Sequence, residues 1–271
     1  MKKTILSLTV ALFLLNGCAK KDDKPPQTAS KTEQTPEYHG PKDNEIPAML
    51  AHSFAVKLEQ PKICHDDKDT EGMVCTTTEV IGLKSNIDWI DRIINKEIHD
   101  YYADVFVVPS EEQKQLNQTK VEGSNHWSNS VVYRFNGQFG RYVQISKVAS
   151  EYTGGAHGIS FFEDYVFDLK SKKRVTLHDI VITGKTDKLK NALWKQYEYW
   201  CNDNQMQPFI AKEDFNISNN FYINQNGGVT FEYQLYELAP YAAGPVSLEL
   251  NETKDLIKSD FIPDMPTLNN E

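Results

Sequence analysis

The sequence predicts an α+β fold: mostly antiparallel sheets with two main helices, forming one compact two-part unit. Three observations predict it. Short apolar-polar alternations recur along the chain, as half-buried strands require. Asn-Gly dipeptides at Asn136-Gly137 and Asn226-Gly227 sit between such runs, which is the sequence pattern of tight hairpins. Two longer stretches space apolar residues at helical steps and stand between groups of strands rather than alternating with single ones, an order that favours antiparallel over parallel sheets.

In chain order, Ser53 to Glu59 reads as the first strand, with Phe54, Val56 and Leu58 alternating, and Val74 to Leu83 as the second. Cys64 and Cys75 bracket the polar stretch His65 to Gly72, and a disulfide between them would tie this first pair of strands and close a short loop. A metal site built on Cys64, His65 and Cys75 is the alternative, although the spacing fits no tetrahedral pattern. Ser85 or Asn86 caps a helix running to about Tyr102, with Ile87, Ile90, Ile94 and Ile98 on one face and Asp88 in the first turn, where the helix dipole favours an acid. Residues 109–126 are polar, helical or loose. A hairpin of Val131 to Phe135 and Gly140 to Ser150 turns at Asn136-Gly137. After the strand Ile159 to Leu169 and a turn at Ser171-Lys172-Lys173, a short apolar stretch from Val175 to Ile182 leads to the second helix, Thr186 to Cys201. There Leu189, Leu193, Tyr197 and Cys201 share a face, so Cys201 is expected to be a buried, inert thiol. Phe221 to Asn224 and Val229 to Leu235 form the last hairpin, and Pro245 to Leu250 the final strand.

Residues 1–18 read as a lipoprotein signal. Lys2 and Lys3 precede an apolar run from Thr4 to Leu15, too short to span a bilayer, and the run closes on Leu15-Asn16-Gly17-Cys18. This resembles the bacterial lipobox, which implies lipidation of Cys18. Ala19 in the next position is similar to the signal for the outer membrane, facing the periplasm, in a Gram-negative cell. Lipid chains would hold the protein on the membrane, anchored rather than spanning. Residues 19–45 contain several prolines and charges but no Val, Ile, Leu or Phe. Such a segment cannot bury a core and reads as a tether of roughly 30 Å root-mean-square span.

Removing residues 1–17 leaves 254 residues, with 27 basic against 38 acidic side chains, net −11. An acidic balance of this size disfavours nucleic acid and anionic lipid as partners and suits a cationic one; solubility alone would also account for it.

The segment Tyr152-Thr153-Gly154-Gly155-Ala156-His157-Gly158 is the most constrained loop in the sequence. Together with Phe167-Asp168-Leu169, Leu177-His178-Asp179-Ile180 and Tyr236 to Gly244, it resembles domain-of-unknown-function family 3298, usually preceded by a 4163-type segment. The resemblance spans about residues 47–265, with a 4163-like part at 47–165 and a 3298-like part at 166–265. Similar domains form the extracytoplasmic part of the anti-sigma-V factor, which binds lysozyme, and accompany bacterial peptidoglycan deacetylases. The resemblance implies a non-catalytic envelope binding protein whose ligand is a lysozyme-like protein or peptidoglycan. The cytosolic sigma-binding segment and transmembrane helix of the anti-sigma proteins, and the metal-dependent domain of the deacetylases, are not seen in this sequence.

The ligand-contact candidates are Tyr152, Thr153, Gly154, Gly155, His157, Tyr236, Glu237 and Tyr241. The same residues can be read as a turn lock and as core packing, with the glycines supplying positive φ or close backbone approach. A hydrolase reading rests on His157 as base with Glu151, Asp164 or Asp168 nearby, but no Gly-x-Ser-x-Gly elbow, His-Glu-x-x-His or phosphate loop accompanies it. A third reading is a structural subunit of an envelope assembly. No cofactor is expected.

Overall fold

The computed structural model describes residues 46–262. The lipobox with Cys18 and the whole 19–45 tether lie outside the described residues.

Two sheets carry the fold. The larger has seven strands: β1 (Ala51–Ala55), β2 (Lys62–Asp67), β3 (Gly72–Ser85), β4 (His126–Phe139), β5 (Tyr142–Tyr152), β6 (Ile159–Asp168) and the two-residue β7 (Lys173–Arg174). Its order is β1-β3-β4-β5-β6-β7, with β2 also paired to β3. The smaller sheet has the order β10-β9-β8, from β8 (Phe221–Ile223), β9 (Val229–Tyr233) and β10 (Val246–Leu250). Every pairing is antiparallel except β3 with β4. That parallel step needs a crossover, and the first helix, α1 (Asp88–Tyr101), lies within it. The α+β expectation holds.

The face of α1 that carries Ile90, Ile94 and Ile98 is buried. It packs with Val80, Leu83, Val131, Tyr133, Val143, Ile145, Tyr165 and Phe167 in one core. Full burial of each isoleucine stabilises by roughly 2–3 kcal/mol. The opposite face of the large sheet supplies Tyr142 and Val166 to a second core, filled by the small sheet and by α4 (Thr186–Asp203) through Leu189, Leu193, Tyr197 and Cys201. Strands β5 and β6 are therefore the wall shared by both cores, their odd-numbered residues facing α1 and their even-numbered residues facing the small sheet. Cys201 is free and buried, as its helical register requires.

Four local expectations need correction. The first strand stops at Ala55 rather than Glu59, because the N–H groups of Glu59 and Gln60 donate to the Val105 carbonyl at 2.9 and 3.1 Å instead of to a ladder. The second expected strand is longer, Gly72–Ser85, and the disulfide Cys64–Cys75 ties it to β2, a strand the polar sequence hid. The two cysteines stand opposite each other with Cα atoms 4.0 Å apart, so the sulfurs a metal would have used are bonded together. Neither Ser85 nor Asn86 is the N-cap of α1; Ile87 is. Ser85 Oγ nevertheless accepts from the Ile87 N–H and donates to buried Asp91, while Asn86 is engaged with Ala48 and Leu50.

The fourth correction concerns the first hairpin. Asn136-Gly137 is a β-bulge, not the turn: the register shifts between Phe135 and Gly137, whose φ is +140°, and the ladder continues to Phe139 opposite Tyr142. The turn falls at Gly140-Arg141. The extra pairs place the rings of Phe139 and Tyr142 together against the second core, and that burial outweighs the local preference for a turn at Asn-Gly.

Residues 109–126, left between helix and loop, contain α2 (Glu111–Leu116), capped by Ser110, whose Oγ accepts from the Gln113 N–H. In the 175–182 stretch α3 (Leu177–Ile180) forms under a Thr176/Asp179 capping box. No helix among the described residues is long and apolar enough to cross a membrane.

Candidate functional site

The β5–β6 connection and the Tyr236–Gly244 segment, distant in sequence, meet at one end of the molecule. Their contact is a ring stack: His157 lies on Tyr241 with centroids 3.8 Å apart and planes 18° from parallel. Tyr236 adds a third ring, 5.7 Å from Tyr241. The backbone holds this arrangement. The Tyr241 hydroxyl donates to the Gly158 carbonyl at 2.9 Å, His157 Nδ1 contacts the same oxygen at 3.0 Å, and the Tyr152 hydroxyl donates to the Gly155 carbonyl at 3.1 Å.

The glycines have distinct reasons. Gly154 and Gly155 sit at φ +90° and +86°, where a Cβ is strained. At Gly158 the constraint is space: a Cβ there would lie 2.5 Å from the Glu151 carbonyl oxygen. Both readings of the loop, positive φ and close approach, are realised in it.

Of the sequence candidates, the structure brings Tyr152, Gly155, His157, Tyr236 and Tyr241 into one surface cluster, with Gly154 shaping the loop. Thr153 is exposed on it. Glu237 is exposed and closes its own turn, accepting from the Gln234 N–H at 2.5 Å. The three carboxylates considered beside His157 are engaged elsewhere. Glu151 accepts from the Tyr101 hydroxyl at 3.0 Å, Asp168 accepts from the 170–171 backbone and Ser171, and Asp164 is partly buried within range of the Glu232 charge. Among the described residues His157 has no hydrogen bond to a carboxylate.

Tyr236 carries the strongest geometric signal. It is 49% exposed, yet its φ is +68°, a left-handed conformation that costs a non-glycine residue of order 1 kcal/mol or more. The turn that imposes it also positions Gln234, whose amide donates to the Phe162 carbonyl and accepts from the Phe162 N–H. Asn220 bonds the same edge at Phe162 and Asp164. A third amide, Gln144, makes the same two-way contact with the backbone of Ile223. Three carboxamides thus stitch the small sheet to the large one.

Sequence reading missed a second cluster, on the α1 side of the same hairpin. Lys147 forms ion pairs with Glu97 of α1 and, at 2.9 Å, with Glu163, which also pairs with Arg174 at 2.8 Å. The Tyr165 hydroxyl donates into this group, 2.8 Å from both Glu97 oxygens and 3.0 Å from Glu163. The signal was present: in Val143, Ile145, Lys147 and Ala149, the lysine occupies an inward position of the alternation. Burial works to raise the Glu163 pKa, but Lys147 and Arg174 outweigh it and hold the carboxyl below its ordinary value.

The fold and this tip define an α+β domain of two amide-joined sheets with an aromatic surface at the β5–β6 end. Residues 177–251 match the family described as Protein of unknown function (DUF3298). The match includes the Tyr236–Gly244 segment and begins after the glycine loop. The fold is similar to that of a DUF3298 family protein from Pseudomonas aeruginosa PAO1, at TM-score 0.59 and 18% identity over 81% of this chain and 99% of that one. It is also similar to a DUF3298 family member from Bacteroides fragilis NCTC 9343, at TM-score 0.52 and 19% identity over 79% and 96% of the two chains. At these identities the likeness is one of fold. No curated protein matches the sequence.

Proposed function

We propose that this protein is a lipid-anchored envelope binding protein that recognises a wall-associated ligand, a lysozyme-like protein or peptidoglycan, without catalysing a reaction. The observation that carries the reading is Tyr236, an exposed tyrosine kept at a costly φ beside Tyr241 and His157. Backbone strain persists where the surroundings impose it and concentrates at binding sites. Tyrosine rings offer a rigid, amphipathic contact surface for protein or sugar. An excess of acidic residues, formally −9 for the whole chain, favours association with a cationic protein. The lipobox at Cys18 and the tether of residues 19–45 would place the folded part near the wall, and a 4163-type segment would make up residues 47–165.

The test is a binding measurement on the soluble fragment from residue 45 onward, against lysozyme and purified peptidoglycan. Binding at micromolar concentrations is expected, weakened about tenfold by Tyr236→Ala, which also relieves none of the fold's core contacts. Absence of binding to both ligands would reject the proposal.

A further inference from the structure

On the α1 side of the β5–β6 hairpin, separate from the aromatic tip, a half-enclosed cavity of about 250 Å³ opens between the end of α1 and the sheet. Its walls follow from register. Val131 stands opposite Ala149, so β4 and β5 present an apolar floor, and Phe161, opposite Ala149 on β6, borders it. Tyr101 and Phe161, 64% and 40% exposed, stand at the rim. The ion-paired Lys147 and Glu97 make its polar wall, and Tyr102, whose buried hydroxyl has no hydrogen-bond partner among the described residues, also lines it.

We propose that this cavity binds a phenol-type group: one aromatic ring bearing one hydroxyl. The inference stands apart from the envelope-ligand reading. An apolar cavity of about 150 Å³ suffices for a benzene ring, so the size admits one ring with its substituent. A hydroxyl suits the polar wall because it can both donate to Glu97 and accept from Lys147, which has a third N–H beyond the two that its carboxylates use. The protein already makes this contact once, through the Tyr165 hydroxyl on Glu97 and Glu163. A charged ligand fits less well, since Lys147 and Arg174 already balance Glu97 and Glu163. A carboxylate would meet those two acids and an ammonium those two cations.

Such a ring could be a free phenol or a tyrosine side chain of another chain, and two probes separate these sources. The full chain is titrated calorimetrically with p-cresol and with N-acetyltyrosinamide, using benzoate as the charged control. One-site binding of p-cresol is expected at concentrations up to ~10 mM, with benzoate about tenfold weaker. Binding of both neutral probes points to a tyrosine side chain, and of p-cresol alone to a free phenol. Ala149→Leu, which fills the floor, should abolish binding. Phe161→Ala, at the exposed rim where the fold does not depend on it, should weaken binding severalfold. Tyr102→Phe should weaken it while raising the melting temperature of the free protein, because an unanswered buried hydroxyl is removed. No saturable binding of either phenol, or binding that both Phe161→Ala and Tyr102→Phe leave unchanged, overturns the proposal.

Discussion

Glu163 and Asp164 are neighbours on β6, yet the two faces of the sheet treat them in opposite ways. Glu163 points toward α1, where Lys147 and Arg174 hold its pKa down against the effect of burial. Asp164 points toward the small sheet, where burial and the charge of Glu232 push its pKa up to about 6. The Glu232 carboxyl is itself raised by burial, although Ser247 donates to it at 2.7 Å. Burial alone does not decide the state of a carboxyl; what decides is whether the same face supplies a cation. The α1 face is a satisfied charge cluster, and the small-sheet face an acid pair without one of its own.

Removing the cation from the α1 face should break this contrast most severely. Lys147→Met leaves Glu97 and Glu163 facing each other at partly buried positions, and a loss of about 3 kcal/mol is expected in urea unfolding at pH 7. The loss should shrink in acid as the carboxylates protonate. An unchanged midpoint would show that the cluster is solvated like a surface pair.

The acid pair should give a smaller effect of the opposite pH sense. Well below pH 4, Asp164 is protonated in both folded and unfolded chains. As pH rises toward 6 the unfolded chain releases a proton that the folded one retains, so stability falls with pH, and the loss is complete above about 6. A rise from 3.8 to about 6 corresponds to at most ~3 kcal/mol, reduced to about 2 kcal/mol by the water that reaches the group. Asp164→Asn should remove this dependence and stabilise the protein by a similar amount at pH 7, as chemical unfolding across pH 4 to 8 would show. A parallel pH profile in parent and variant would refute the assignment.

The smallest effect is expected at Arg174, which lies 4.2 Å over the Tyr165 ring and is 39% exposed in its side chain. Arg174→Ala should cost about 1 kcal/mol. It should also move the Glu163 titration, followed by carboxyl NMR, upward toward the behaviour of its neighbour. A Glu163 titration that does not move would assign the whole contrast to Lys147.

Much of this architecture was legible because alternation and helical spacing are local. The isoleucine face of α1, the Leu189–Cys201 face of α4, the Asn226-Gly227 hairpin and the Cys64–Cys75 bond all follow from residues near each other in sequence. What escaped depended on distant partners. At Asn136-Gly137 the turn preference was correct for an isolated hairpin, but Phe139 and Tyr142 had a core to enter. β2 was hidden by His65, Asp66 and Asp67, polar residues that a strand on a sheet's margin can carry on its open face. The aromatic tip was partly visible, since its two segments were singled out, while their stacking through His157 and Tyr241 was not. Lys147 could have been read from the alternation, but its acids come from α1 and β6.

The three carboxamides have a consequence for how the protein behaves when crowded. Among the described residues, the outer margin of β6 from Ile159 to Tyr165 pairs with no strand, the kind of unfinished edge onto which a foreign chain can polymerise. Gln234 and Asn220 occupy its central N–H and C=O groups with side chains, which cannot propagate a ladder. That margin should therefore resist fibre growth without a covering strand. The protection is also chemically perishable: deamidation of Asn220 or Gln234 replaces a donor with a charge and reopens the edge, so ageing of the purified protein should show first as slow, irreversible self-association.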